Sequence, residues 1–150
     1  MHLNQEVYVT THFYLFPVPS NYNSTMLVKV NFWDMAGQDE YLQVRNEFYK
    51  DTHVALLVFD VNSRSSFHAL DRWIEEIERF AGKSHDNKVT CVVVGNKGDK
   101  TNVGGGGITQ EEGEEAARRL GTTYFSVSAK TGQGIPELFE YAFDVALKEV

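Results

Sequence analysis

Three short polar strings combine residue types that suit nucleotide chemistry. They are Asp34-Met35-Ala36-Gly37-Gln38, Asn96-Lys97-Gly98-Asp99 and Ser128-Ala129-Lys130. In the first, a carboxylate can hold Mg²⁺ through water, and a glycine lets a backbone N–H approach a phosphate closely. The glutamine beside it can orient a water molecule. The first string therefore points to phosphate and metal chemistry.

The other two strings suit recognition of a purine base. Asp99 can accept two hydrogen bonds side by side, and guanine offers such a donor pair at N1–H and N2–H₂, whereas adenine does not. Asn96 and Lys97 would brace the loop and cover the base plane. Ala129 can donate its backbone N–H to a carbonyl such as guanine O6, and Ser128 can order its loop. Taken singly, each string is more often an ordinary polar loop, but their order and spacing together predict a guanine site.

Strand patterns determine where these strings lie. Residues 26–33 alternate apolar and polar types, which predicts a strand with two different faces. Val54–Asp60 and residues 89–95 are nearly continuous apolar runs, typical of strands buried on both faces. Residues 124–127 form a fourth, short strand. Each polar string directly follows one of these predicted strands.

Three helices are predicted between and after the later strands. Apolar residues recur at helical spacing over residues 67–80, and Glu76 lies off this apolar stripe. Thr109-Gln110-Glu111-Glu112 is a capping box that begins a second helix, which ends at Leu120-Gly121. Pro136 begins a third helix at its favoured first-turn position.

The alternation of strands and helices implies a parallel sheet covered on both faces. Ligands of such sheets bind at the carboxyl ends of the strands, where the polar strings lie. The N-terminal part follows another pattern. Residues 21–24 predict a turn, so residues 11–18 would form a hairpin with residues 26–33, and Pro17 and Pro19 would make that arm an edge strand.

Composition excludes several functional classes. The chain has 150 residues, of which 42% are hydrophobic, so it can bury the core of one soluble domain. Its formal net charge of −7 argues against binding to a nucleic-acid backbone. A single cysteine, Cys91, excludes a disulfide framework and fits a buried thiol in a reducing compartment. Since no bilayer-spanning run, signal peptide or C-terminal prenylation cysteine is encoded, we expect no intrinsic membrane anchor. We expect a cytoplasmic protein that reaches membrane surfaces through partners.

The three strings resemble the nucleotide motifs of Ras-superfamily small GTPases, and the chain looks most like the Rab branch. Residues 33–41 resemble the Rab switch II, and residues 48–53 and 57–61 resemble the Rab segment that follows it. Residues 44–51 are similar to J-domain-bearing Rab-like GTPases, although no J domain occurs in these 150 residues. The resemblance covers residues 27–150.

The resemblance implies an α/β fold, the three-layer parallel-sheet P-loop NTPase fold of small G proteins. It divides the chain into a GTPase-like domain at residues 26–150 and an N-terminal segment at residues 1–25. A weaker match reaches into that segment, because Tyr8-Val9-Thr10-Thr11 lies where Rabs carry the Tyr-x-x-Thr of switch I. The alternative is that residues 1–25 are unrelated to the family.

The resemblance also implies a guanine-nucleotide-binding molecular switch with slow GTP hydrolysis, acting in vesicle trafficking or signalling. Its ligands would be GTP or GDP and Mg²⁺, and its partners effectors, exchange factors and GTPase-activating proteins. Gln38 would position the attacking water, and Thr11 and Asp34 would serve Mg²⁺. Phe16, Trp33 and Phe48 would form the aromatic partner-binding triad. The nucleotide-binding residues would be Asp34, Gly37, Asn96, Lys97, Asp99, Ser128, Ala129 and Lys130.

One departure from the family is large. The chain contains no Gly-x-x-x-x-Gly-Lys-Ser/Thr string, and residues 104–107, a run of glycines, cannot replace it. We therefore expect an N-terminally truncated fold without the family's first strand and first helix, and a nucleotide affinity reduced by several orders of magnitude. This favours an alternative function, a non-catalytic GTPase-like interaction module or fragment that does not bind nucleotide usefully. A receiver or flavodoxin-like domain is a weaker alternative, since it has no use for residues 96–99.

Overall fold

The computed structural model divides the chain into two compact units, residues 1–48 and residues 49–150. The described residues are 8–17, 25–35, 42–81, 89–100 and 105–148. The domain division expected from the sequence, at residues 25 and 26, stays a prediction about the protein's organisation.

The first unit contains a β-hairpin and a short helix. Strand β1 is Tyr8–Pro17 and strand β2 is Thr25–Asp34, and they pair antiparallel from Tyr8 opposite Asp34 to Pro17 opposite Thr25. The predicted hairpin is therefore confirmed, with its first arm beginning three residues earlier than expected. The predicted turn at residues 21–24 lies outside the described residues. Helix α1 is Leu42–Phe48.

The second unit contains the predicted parallel sheet. A 3₁₀ turn, Tyr49–Asp51, precedes strand β3, Val54–Asp60, which is followed by β4, Thr90–Asn96, and β5, Tyr124–Ser126. The strand order is β3-β4-β5, with every pair parallel. All three carboxyl ends therefore meet at one edge, as the sequence predicted.

Burial in this sheet differs between its strands. Val92, Val93 and Val94 of β4 are almost completely buried, as expected for a central strand. In β3 the expectation of burial on both faces was wrong, because Val58 is 54% exposed. Val58 lies on the face of the sheet opposite to the buried Leu57. In the described residues, the core on the Val58 face is centred on β4. The half-buried Cys91 likewise departs from the fully buried thiol expected.

In the described residues, each of the three helices of the second unit begins with residues suited to a first turn. Helix α2, Arg64–Phe80, is capped by Ser63, whose side chain accepts a hydrogen bond from Ser66 N. Helix α3, Gln110–Arg119, has both bonds of the predicted capping box between Thr109 and Glu112. Helix α4, Ile135–Lys148, has proline at its second position. Within the described ranges, no helix is both long enough and apolar enough to cross a membrane.

Glu76 corrects the prediction that it lies away from the packed face of α2. Its side chain is buried, and its Oε1 accepts a hydrogen bond from the Tyr49 hydroxyl at 2.7 Å. Tyr49 is itself 1% exposed. A buried carboxylate persists where such donors compensate its desolvation. The 3₁₀ turn before β3 is thereby joined to the middle of α2.

Candidate functional site

The loops after β3, β4 and β5 are joined by backbone hydrogen bonds at the carboxyl edge of the sheet. Val61 N donates to Asn96 O at 3.0 Å, and Gly98 N donates to Val127 O at 2.9 Å. Val127 N donates to Gly95 O at 2.8 Å. Because these bonds cross between neighbouring loops, the side chains on the loops have fixed relative positions.

The Asn96 side chain connects two of the predicted base-recognition loops. Its Oδ1 accepts hydrogen bonds from Lys97 N at 2.7 Å and from Ala129 N at 3.1 Å. Asn96 therefore braces the loop as the sequence predicted. The Ala129 amide already has an acceptor, so a base carbonyl would share that N–H or replace Asn96 as its acceptor.

Ser128 connects the same loops at a second point. Its hydroxyl is fully buried, donates to Asp99 Oδ1 at 2.6 Å and accepts from Thr131 N at 3.2 Å. Ser128 is itself held by bonds with Gln133 O and Gly132 N. Its hydrogen bond to Asp99 lowers the pKa of that carboxyl group. Asp99 is therefore ionised at neutral pH and presents only hydrogen-bond acceptors.

Lys97 has a conformation that is rare for a residue with a side chain. Its φ of 66° lies in the left-handed region, which costs about 1–2 kcal/mol for such residues. The bond from Lys97 N to Asn96 and the bond from Lys100 N to Lys97 O, at 3.0 Å, hold this turn. Strained backbone of this kind is often found at functional sites.

The sequence reasoning did not single out Asp60, the last residue of β3. Its Oδ2 lies 2.6 Å from Lys97 Nζ. Hydrogen bonds from Lys97 and then from Asn62 lower the pKa of Asp60. The available signal was an acidic residue at the end of a buried strand, on the edge where the other polar loops lie. Lys97 thus carries an ion pair in addition to its predicted role over the base plane.

Lys130 completes the cationic surroundings of Asp99. Its side chain is exposed, and with Lys100 it contributes to the lowered pKa of Asp99 through its charge. The loop residues predicted from the second and third strings are thus brought together at one edge of the sheet. The carboxylate held by Ser128 and the Ala129 amide bonded to Asn96 lie on these two joined loops.

The positions predicted to serve Mg²⁺ are separated in the first unit. Asp34 is the exposed last residue of β2. Thr11 lies in β1 opposite Asn31, which precedes Asp34 by three residues along β2. Three residues of extended strand span roughly 10 Å, so the backbones of Thr11 and Asp34 are separated along the hairpin. Their roles towards Mg²⁺ stay predictions.

The remaining phosphate-side residues lie outside the described part of the chain. These are Gly37 and Gln38, whose roles stay predictions. Among the described residues, no group of three or more His, Cys, Asp or Glu side chains is placed to hold a metal ion.

Two of the three predicted partner-binding aromatics are in contact. The rings of Trp33 and Phe48 have centroids 4.2 Å apart with an interplanar angle of 34°. Trp33 is 40% exposed. Phe16 lies in β1 opposite Met26, near the far end of the hairpin from Trp33. The hairpin and α1 therefore present an aromatic pair, with the third member elsewhere on β1.

Comparison with known proteins identifies the family. Residues 4–148 match the Ras family. The chain is 44% identical over 115 residues to DnaJ homolog subfamily C member 27 of Gallus gallus and of Homo sapiens, covering 75% of this chain and 41% of each relative. It is 41% identical over 117 residues to the same-named protein of Danio rerio, covering 77% of this chain and 42% of the relative.

The chain thus spans about two fifths of the length of these curated relatives. Their names agree with the similarity to J-domain-bearing Rab-like GTPases predicted from residues 44–51. The parallel sheet with helices agrees with the α/β fold of small G proteins. The chain belongs to the Ras family and is a Rab-like small GTPase.

Proposed function

We propose that this chain binds guanine nucleotides through the loops after β4 and β5, as a Rab-like molecular switch. The observation that carries the proposal is the bond from the buried Ser128 hydroxyl to Asp99. This bond holds a carboxylate in one orientation at the edge of the sheet where ligands of parallel sheets bind. The Asn96 side chain accepts a hydrogen bond from Ala129 N and so holds the loop after β5 beside the loop after β4.

The charge state of Asp99 supports selection of guanine over adenine. An ionised carboxylate only accepts hydrogen bonds, and guanine presents two adjacent donors to it. Adenine presents an acceptor at N1, which would face the carboxylate unpaired. Leaving such a polar group without a partner costs about 1–3 kcal/mol, or roughly five- to 150-fold in affinity. Lys97 would cover the base plane, and the Ala129 amide would contact the base carbonyl.

Phosphate recognition is the weak part of the site. The sequence contains no Gly-x-x-x-x-Gly-Lys-Ser/Thr string, which in P-loop NTPases cradles the phosphates with backbone amides and a lysine. We therefore propose that binding by these 150 residues is dominated by the base. The affinities for guanosine monophosphate and diphosphate should then be similar.

The catalytic part of the proposal rests on the sequence. Gln38 would orient the attacking water in a slow hydrolysis of GTP, and Gly37 would sense the γ-phosphate. A switch of this kind would act in vesicle trafficking or signalling, with effectors, exchange factors and GTPase-activating proteins as partners. Mg²⁺ is the metal that the family implies, and Thr11 and Asp34 are its proposed ligands.

A non-catalytic interaction module is the second candidate function. The exposed Trp33, packed on Phe48, favours it because exposed aromatic anchors are common at protein interfaces. Such a module would bind a protein partner without needing a nucleotide.

Nucleotide titration followed by NMR separates the two candidates. The ¹⁵N-labelled chain would be titrated to millimolar concentration with guanosine monophosphate and, separately, with adenosine monophosphate. We expect saturable shifts of the Gly98, Asp99 and Ala129 amides with the guanine nucleotide and much weaker shifts with adenine. Equal responses to both bases, or none, in a folded chain would reject guanine recognition and favour the interaction module.

A further inference from the structure

Asp60 is held more firmly than an ordinary carboxylate at the end of a strand. Its Oδ1 accepts hydrogen bonds from Asn62 N at 2.9 Å and from Asn62 Nδ2 at 3.3 Å. Its backbone is fixed by the Ser66 hydroxyl, which contacts Asp60 N at 3.0 Å and Asp60 O at 3.3 Å. These contacts leave Oδ2 directed at the Lys97 ammonium group, 2.6 Å away.

The ion pair between Asp60 and Lys97 connects two adjacent strands at the candidate site. Asp60 ends β3, and its register partner Asn96 ends β4 immediately before Lys97. The Lys97 backbone is fixed by its left-handed turn, and the ammonium group is fixed by Asp60. A lysine side chain held at both ends loses most of its rotamer freedom.

We propose that Asp60 is a positioning residue for guanine-base binding. By holding the Lys97 ammonium group, it keeps the alkyl stem of Lys97 in one direction along the sheet edge. The Lys97 side chain is about half exposed, and its stem is then a preformed apolar platform for the face of a base. This inference rests on the proposed function and assigns Asp60 a role that acts only through Lys97.

The expected effect is modest and depends on salt. The Lys97 side chain is 48% exposed and that of Asp60 is 25% exposed, so solvent and ions screen their attraction. Exposed ion pairs of this kind correspond to about two- to fivefold in an equilibrium constant. Asp60→Asn keeps the shape of the side chain and its contacts with Asn62 while removing the charge.

The test compares Asp60→Asn with Asp71→Asn, which removes one acidic charge from an exposed position on α2. Asp71 lies 3.9 Å from Arg119 of α3, and its side chain is mostly exposed. Each variant would be titrated with guanosine monophosphate and with inosine monophosphate, which lacks the N2 amino group. We expect Asp60→Asn to weaken both ligands by the same factor, about two- to fivefold, and Asp71→Asn to leave both unchanged.

A double-mutant cycle identifies the route. In a Lys97→Ala background, Asp60→Asn should have no further effect on either ligand, because the side chain through which it acts is gone. The difference in nucleotide affinity between wild type and Asp60→Asn should also shrink as the KCl concentration is raised to about 1 M, because the Debye length then falls to about 3 Å. A loss of affinity caused only by a structural change would persist in the Lys97→Ala background and at high salt.

The outcomes distinguish this inference from the function on which it rests. Equal binding by wild type and Asp60→Asn would overturn the role of Asp60 and leave guanine binding intact. A change in the ratio of guanosine to inosine affinity, or an effect that persists with Lys97→Ala, would overturn the route through Lys97. No binding of either nucleotide by the folded wild type would overturn the proposed function, and the role of Asp60 with it.

Discussion

The buried hydroxyl of Ser128 donates to Asp99 Oδ1 across a distance of 2.6 Å, and this bond joins the loops that follow β5 and β4. The two residues are 29 positions apart in the chain, with α3 and β5 between them. Their contact depends on the parallel register of β4 and β5, which aligns Gly95 with Ser126. The base-recognition geometry is therefore a product of the sheet.

Replacing Ser128 with alanine should disturb both stability and base binding. The substitution leaves Thr131 N without its acceptor and Asp99 without its donor, so we expect a loss of about 1–2 kcal/mol in the free energy of unfolding. The pKa of Asp99 should rise towards its ordinary value. Thermal denaturation and NMR titration of Asp99 would measure the two effects, with Ser65→Ala, on the exposed face of α2, as the control. An unchanged Asp99 titration would contradict the assigned bond.

Stability should decrease at acidic pH because of Asp60 and Asp99. Both carboxyl groups have pKa values lowered below the ordinary 3.8 in the folded state. Groups of this kind stabilise the folded state above their unfolded pKa, and the contribution is lost as pH falls through the folded pKa. We expect the melting temperature to fall below about pH 4. Lys97→Met should reduce this pH dependence, and an identical pH profile in that variant would contradict the ion pair with Asp60.

Tyr49→Phe should destabilise the second unit. The change removes the hydroxyl that donates to the buried Glu76, so a desolvated carboxylate loses one donor. We expect a loss of about 1–3 kcal/mol by chemical denaturation. Tyr141→Phe is the matched control, because its hydroxyl bonds Thr123 at an exposed position and should cost under about 0.5 kcal/mol. Equal effects of the two substitutions would contradict the burial of the Tyr49 bond.

Gly113→Ala tests which of two opposing effects is larger. In an exposed helix interior this substitution stabilises by about 1 kcal/mol, because alanine has the higher helix propensity. In α3, however, an added Cβ would lie 2.6 Å from the ring of Tyr124, which is too close without movement. We expect the steric effect to dominate, with a net loss of about 1–3 kcal/mol in thermal unfolding. Gly106→Ala, with open space around it, should be neutral, and a stabilised Gly113→Ala would show that the Tyr124 ring moves freely.

The elements around the candidate site were predictable because their signals are local. The apolar runs give β3 and β4 to within one residue, and the capping box gives the start of α3. The polar strings after β4 and β5 follow from the rule that ligands bind at the carboxyl ends of parallel strands.

Contacts between distant residues were not predictable from these patterns. The acceptors of the Lys97 ammonium group and the Tyr49 hydroxyl are distant in sequence and become neighbours only in the folded sheet. The exposure of Val58 also depends on what packs beside β3, which an apolar run does not encode.

The central claim, that Asp99 reads a guanine base, is tested most directly by changing its charge. Asp99→Asn replaces one acceptor oxygen with an amide donor, which pairs with the O2 carbonyl of xanthine instead of the N2 amino group of guanine. Wild type and variant would be titrated with guanosine and xanthosine monophosphates by NMR. We expect wild type to prefer guanosine and the variant to prefer xanthosine, each by about tenfold or more. An unchanged preference in a folded variant would contradict the assignment of Asp99 and the account of the site.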